Sequence, residues 1–400
     1  LVTETAKAQS LGQSAWVRAR GQNDFSAFRP YLERILDLRK QAAACLDPNK
    51  KPYDVLLDLF EPGSDEDSVR RVFDPLRKDL TALLAKIRSR PQVDDSFLRK
   101  PCPKDAQAAA SRYFMQLLGY DLDRGRLDIT AHPFTTTVGR ADVRITTRYD
   151  EGYFLSSLFS TIHETGHALY EQGVNPPPEY TGTCLADGAS MGIHESQSRM
   201  WENVVGRSRS FWSREYPALR AVLGEVLSGV SLDDFLRGIN KVEPSLIRTE
   251  ADEVTYGLHI ILRFEMEAEL LSGRLAVEDV PAAWNAKTRD LLGIEPPNDA
   301  KGCLQDVHWS AGLFGYFPSY SLGNLYAAQF VQTMRKDLDL DDRVREGDYA
   351  AVLGWLRKNI HTPGAALLPM ELCERVTGRT LDAGHFVEYL NRKYSEIYGF

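Results

Sequence analysis

The chain reads as mostly α, a single large helical domain carrying one small β-sheet. Three observations predict this. Apolar residues recur at three-to-four spacing through most of the sequence. One stretch, residues 125–154, breaks that rhythm with Thr, Val and Ile. No Ser/Gly linker, low-complexity tract or internal repeat divides the chain. With 400 residues, 43% of them hydrophobic and 10% aromatic, there is apolar material for a large core, and length alone would allow one large domain or two to three smaller ones.

Taken in order, residues 14–46 place Phe28, Tyr31, Leu32, Ile35, Leu36 and Leu38 at helical spacing with charges between, the pattern of an amphipathic helix. Residues 72–87 and 105–118, and most of the chain beyond Gly188, read the same way. The stretch "GRLDITAHPFTTTVGRADVRITTRYDEGYF" alternates polar with apolar and is interrupted by Gly139 and Gly152, so it reads as short strands joined by turns. The run "NPPPEYTG", residues 175–182, reads as a stiff loop rather than a domain boundary.

Bulk charge narrows the function classes. A formal net charge of -8 gives no electrostatic footprint for nucleic acid, whose binders concentrate positive charge on one face. No apolar run approaches the roughly 20 residues of a membrane helix, and the first residues lack the basic start and apolar centre of a secretory signal. Cys45, Cys102, Cys184, Cys303 and Cys373 are far apart, odd in number and never form a C-x-x-C pair, so neither a thiolate metal site nor a disulfide framework is indicated. The chain reads as a cytoplasmic protein with no membrane or nucleic-acid partner. It begins at Leu1 rather than a methionine, so it reads as processed, truncated or part of something longer.

The stretch "TIHETGHALYEQG", residues 161–173, carries the chemistry. Phe154, Leu155, Leu158, Phe159, Ile162 and Leu169 keep a helical period around it, with Gly173 expected just past the helix end. Four residues turn a helix by about 400°, so His163 and His167 project from one face and can reach one cation. Glu164, next to the first histidine, is placed to deprotonate a water held by that ion without binding the ion itself. Gly166 is expected to clear space beside the metal or substrate. A catalytic site of this kind needs a third protein ligand. Glu195, in the helical stretch "ASMGIHESQSRMWENVV", is the choice. Glu171 and His194 compete with it; three ligands on one straight helix cannot surround an ion, which leaves Glu171 as an outer or surface group, and His194, beside Glu195, reads as a substrate or outer contact, with a purely structural role as the alternative.

With "AHPFTTT", "DVRITTRY", "HETGH", "HESQS", "IRTEAD" and "GYFPSY" in that order, the chain resembles the Taq-type metallocarboxypeptidase family from about Trp16 to the C-terminus. The resemblance implies a mostly helical fold with its small sheet lining a deep groove, similar to angiotensin-converting-enzyme-like and neurolysin-like peptidases. It also implies one zinc ion per subunit, with cobalt as the alternative, release of single residues from peptide C-termini with broad side-chain tolerance, and a homodimer. Two departures stand out: Ser319 replaces a threonine common in the family, and a helical segment is expected upstream of residue 1.

Recognition of a free C-terminal carboxylate calls for a planar guanidinium that can bind both oxygens. Arg248, near the start of a long helix, matches the family's carboxylate-binding position; the bland alternative is a surface pair with Glu250 or Asp252. Arg144 and Arg148, four apart on a strand, project to one side and either assist or hold the sheet. His308, Tyr316 and Tyr320 are candidate donors to the oxyanion of the scissile carbonyl, and His132 is a candidate contact to substrate backbone. His259, His361 and His385 carry no assigned role. The sequence thus predicts a metal-dependent carboxypeptidase acting on peptides with a free C-terminus. An oligopeptidase or dipeptidyl carboxypeptidase of similar fold, or a silent peptide-binding fragment, is the alternative.

Overall fold

Helix carries the structure, as the periodicity predicts. The computed structural model describes residues 1–139, 141–175 and 177–400. The backbone divides into two compact units, one of Leu1–Ser89 with Val242–Ser321, the other of Arg90–Lys241 with Leu322–Phe400.

The first unit opens on two helices, Val2–Gln22 and Phe25–Leu46, rather than one helix running through residues 14–46. The break has a local cause. Asn23 adopts the left-handed conformation (φ 55°, ψ 45°) that ends a helix, and the Asp24 carboxylate caps the next one by accepting the Ala27 N–H at 3.3 Å. Because apolar spacing continues on either side, periodicity alone hides the interruption. Helices Glu66–Arg88 and Thr255–Ser272 supply the core, where Phe264 packs its ring 5.4 Å from Phe73 and 5.8 Å from Tyr53. The helix Thr255–Ser272 is buried on nearly every side and takes Arg263 and Glu267 into the interior with it. Arg248 does not belong to that helix. It sits in a separate 3-10 turn, Arg248–Glu250, because the Asp252 carboxylate accepts the N–H groups of Val254 and Thr255, both at 2.9 Å, and sets the helix start there.

In the second unit the Thr/Val/Ile-rich stretch forms a three-stranded sheet of β1 (Leu127–Ile129), β2 (Thr135–Gly139) and β3 (Asp142–Thr147). The order is β1-β3-β2, with β1 parallel and β2 antiparallel to the central β3. Val143 and Ile145 point into the core while β2 stays mostly exposed along an edge. The helix Leu155–Gly173, here the motif helix, follows directly and packs on β3. The expectation for Gly173 is corrected: it is the last residue inside the helix, followed by an extended Val174, and a Cβ there would lie 2.3 Å from His361 Nδ1. Next comes the helix Met191–Arg199, capped by the Ser190 hydroxyl and continued as a π-helix over Met200–Val205. In the proline-rich run, Pro178–Tyr180 makes one 3-10 turn, while Pro176 is outside the described residues. Among the described residues no helix is long and apolar enough to cross a membrane.

Candidate metal centre

The motif helix and the helix Met191–Arg199 touch where the motif helix carries a glycine. A Cβ on Gly166 would sit 2.6 Å from Ser198 Cα and 2.8 Å from Gln197 O. That glycine therefore serves the approach of two backbones, not space for a ligand. The approach brings Glu195 to the histidine face. Glu195 Oε2 lies 3.2 Å from His167 Nε2 and 3.7 Å from His163 Nε2, and one ligand atom from each of the three residues lies within 4.8 Å of the others.

The donor set fits a divalent ion. Ligand bonds of 2.0–2.2 Å arranged tetrahedrally put neighbouring donors roughly 3.4 Å apart, and the two distances above bracket that value. The tautomers agree as well. His163 Nδ1 is 2.9 Å from the Glu202 carboxylate, which can only accept, so Nδ1 carries the proton and Nε2 keeps its lone pair. The second histidine is oriented through an intermediary. His194 Nε2 donates to Glu171 Oε1 at 2.7 Å, leaving its Nδ1 bare to accept from His167 Nδ1 at 2.6 Å. Both histidines thus offer Nε2 to the same point, and both are held from behind by a carboxylate, one directly and one through His194.

Charge around Glu195 favours its anion. Burial opposes ionisation, but Arg199 and the two histidines outweigh it and hold the carboxyl well below its usual range. Arg199 Nε donates to Oε1 at 2.7 Å, which commits that oxygen and leaves Oε2 toward the histidines. Glu202 is partly buried, with Arg199 first among the groups that overcome the cost of burial and bring it down to about 2. For His163, burial disfavours the cation, yet Glu195 and Glu202 together raise its pKa above the ordinary histidine value.

Glu164 is buried beside this cluster, with Thr135 Oγ1 of β2 donating to its Oε2 at 2.7 Å and to its carbonyl at 3.0 Å. The sheet thus orients the carboxylate next to the first histidine. A second clamp comes from Gly323 in the helix Pro318–Leu338, whose added Cβ would stand 2.5 Å from Glu195 Cγ.

A separate cluster forms in the first unit. Arg248 is buried, and its Nε and Nη2 each donate to Asp306 Oδ1 at 3.0 Å. The sequence alternatives Glu250 and Asp252 are not its partners. Tyr256 Oη accepts from Nη1 at 3.2 Å, and the rings of Tyr320 and Phe317 lie 4.8 Å and 5.7 Å from its Cζ. His308 Nε2 is 3.1 Å from Tyr320 Oη, and the Tyr316 ring centroid is 5.3 Å from that of Tyr320. Burial, then the two nearby arginines, push the His308 pKa down to about 3 against the pull of Asp306, so its ring is neutral at pH 7.

Three candidates of the second unit are not among the residues gathered around Glu195. Arg144 is half-exposed and turned back on its own strand, with Nε donating to Asp142 at 2.8 Å. Arg148 lies beyond the end of β3, so the regular alternation expected to align it with Arg144 does not extend that far. His132, in the loop between β1 and β2, is exposed, and its carbonyl accepts from Thr130 Oγ1 at 2.5 Å. Sequence reasoning missed Thr135, Glu202, Arg199 and Asp306. Of these, only Arg199 had a local signal, its i+4 spacing from Glu195.

Two histidines one helical turn apart, a glutamate beside the first and a carboxylate from a second helix define a metallopeptidase of the HExxH class. Comparison with known proteins gives the family: the profile of the carboxypeptidase Taq (M32) metallopeptidases matches residues 1–394, and the chain belongs to that family. It is 47% identical over 410 residues to thermostable carboxypeptidase 1 of Thermus thermophilus, covering 100% of this chain and 80% of that one. Carboxypeptidase 1 of Bacillus subtilis is 46% identical over 391 residues, covering 97% of this chain and 78% of the relative. Among solved structures, the M32 carboxypeptidase from Deinococcus radiodurans R1 superposes with a TM-score of 0.97 at 43% identity, covering 100% of this chain and 80% of that chain. The mostly helical fold with a small sheet is the fold of these carboxypeptidases.

Proposed function

We propose that His163, His167 and Glu195 hold one divalent ion, zinc first and cobalt as the alternative, in an enzyme that removes single residues from peptide C-termini. The observation that carries this reading is the convergence of two Nε2 atoms and Glu195 Oε2, each fixed from behind, beside a glutamate whose carboxylate is oriented by Thr135. When bound, the ion polarises the scissile carbonyl and acidifies water.

The protein's own groups do the rest. Glu164 takes the proton of the attacking water and delivers it to the leaving amine. Arg248 binds the terminal carboxylate of the substrate with the N–H groups that Asp306 and Tyr256 do not use. Tyr316, Tyr320 and neutral His308 supply hydrogen-bond donors for the oxygen on which negative charge develops. His194 acts by holding His167 in its tautomer, since both its ring nitrogens are engaged with protein groups. The curated relatives are themselves named carboxypeptidases, which supports the exopeptidase reading. The cytoplasmic placement is taken over from the wide spacing and odd number of the cysteines in the sequence. The homodimer is taken over from the family resemblance.

The test is mass spectrometry of an N-blocked peptide and its C-terminal amide. The expected result is a ladder from the free acid that shortens one residue at a time, no cleavage of the amide, and no activity after chelation. Two-residue steps, or cleavage of the amide, would replace this reading with a dipeptidyl carboxypeptidase or an oligopeptidase.

A further inference from the structure

Two buried guanidiniums share one carboxylate in the first unit. Asp306 Oδ1 accepts from Arg248, while Oδ2 accepts from Arg263 Nε at 2.7 Å and lies 2.6 Å from Arg263 Nη2. Arg263 is 0% exposed and Arg248 6%. Among the described residues, Asp306 is the one carboxylate in an ion pair with either guanidinium. Burial pushes His259 and His308 down to about 3, so both are neutral at pH 7. Glu267, one helical turn beyond Arg263, is pushed by burial up to about 8 and is mostly protonated there. One net positive charge therefore stays out of water, a costly arrangement unless an anion completes it.

The donor count shows where that anion would fit. Arg263 is turned inward: besides Asp306, its Nη1 donates to the His259 carbonyl and its Nη2 to Gln305 Oε1, both at 2.8 Å. Arg248 is different. A guanidinium has five N–H groups, and Arg248 uses three, on Nε, Nη2 and Nη1. Among the described residues, one N–H on each Nη remains without an acceptor. These two nitrogens can take the two oxygens of a carboxylate.

We infer that Arg263 is a positioning residue acting through Asp306: by neutralising that carboxylate, it leaves the charge of Arg248 and its two outer N–H groups available to a substrate carboxylate. Asp306 thereby orients Arg248 without cancelling it. The inference rests on the assignment of Arg248 to the substrate terminus. If Arg263 were neutral, Arg248 and Asp306 would form a closed pair, and an incoming carboxylate would meet no net charge.

The experiment uses the metal-loaded full chain with an N-blocked peptide and its C-terminal amide, and each variant's fold is checked by thermal melting. Arg263→Gln is expected to raise KM for the free acid on the order of 10- to 100-fold, with kcat within about threefold. Adding Asp306→Asn removes the carboxylate that would otherwise close on Arg248 and is expected to recover at least about tenfold of that loss. A further rise in KM in the double variant would overturn the inference. Arg263→Lys, which keeps the charge with fewer hydrogen bonds, is expected to stay within about fivefold of the parent in KM. If Arg263→Gln does not fold, that variant carries the test, and a KM rise of about tenfold or more would count against the charge argument. Arg248→Gln is measured alongside. If it leaves the preference for acid over amide intact, the assignment of Arg248 has failed. If it abolishes the preference while Arg263→Gln leaves KM unchanged, only the present inference has failed.

Discussion

Individual side chains divide into those with a sequence signal and those without one. His163, His167 and Glu195 were legible because two share a helix face and the third follows in a motif of its own. The groups that hold them were not: Glu202 meets His163 across 39 positions, Thr135 meets Glu164 across 29, and Asp306 meets Arg248 across 58. Spacing carries no information at those separations. Two predictions belong here. Glu202→Gln keeps the shape but removes the charge behind His163, so metal affinity, measured by competition with a chelator, should fall roughly 10- to 100-fold. Thr135→Val removes the hydroxyl that donates to Glu164 Oε2, so kcat should fall about tenfold or more while metal content stays at parent level. Unchanged turnover in that variant would show that the sheet does not orient the base.

At the level of elements, the helices and the sheet were readable from period and composition, but their junctions were not. The break at Asn23 interrupts the backbone without interrupting the apolar rhythm. The π-helix over Met200–Val205 is a slip in hydrogen-bond register with no fixed residue type, yet it carries Glu202. Helix contacts at the site depend on two glycines whose purpose the sequence did not reveal. Gly166→Ala would push its Cβ against the Ser198 backbone, and the expected cost is about 1–3 kcal/mol, seen as a lower Tm. Gly323→Ala would press on the Glu195 side chain itself. It should weaken metal retention in a chelator titration out of proportion to any fall in Tm. Equal losses in the two glycine variants would contradict that distinction.

For the whole molecule, fold class was legible because helical period dominates the chain, whereas the division into two compact units was not, since each unit is assembled from two stretches far apart in sequence. Folding stability should respond to pH from both sides. The Asp306 carboxyl is held below its usual range because Arg263 and Arg248 outweigh the cost of burial. Its contribution is present above the ordinary carboxylate pKa and is lost as pH falls. Glu267 works in the opposite direction. Burial raises it to about 8, against the N–H groups of Gly315 and Trp309, so folding favours its protonated form and that contribution is lost as pH rises. Glu267→Gln should therefore gain stability relative to the parent between about pH 4.5 and 8, measured by chemical denaturation across that range. A parallel pair of curves would mean that Glu267 is already ionised in the folded protein.

The central claim is that three residues hold the ion while a fourth does the proton transfer, and Glu164→Gln separates those roles most directly. Metal content and kcat measured on the same preparation should show one ion per chain, with turnover reduced by about 100-fold or more. Parent-like turnover, or loss of the ion with the base, would contradict the assignment.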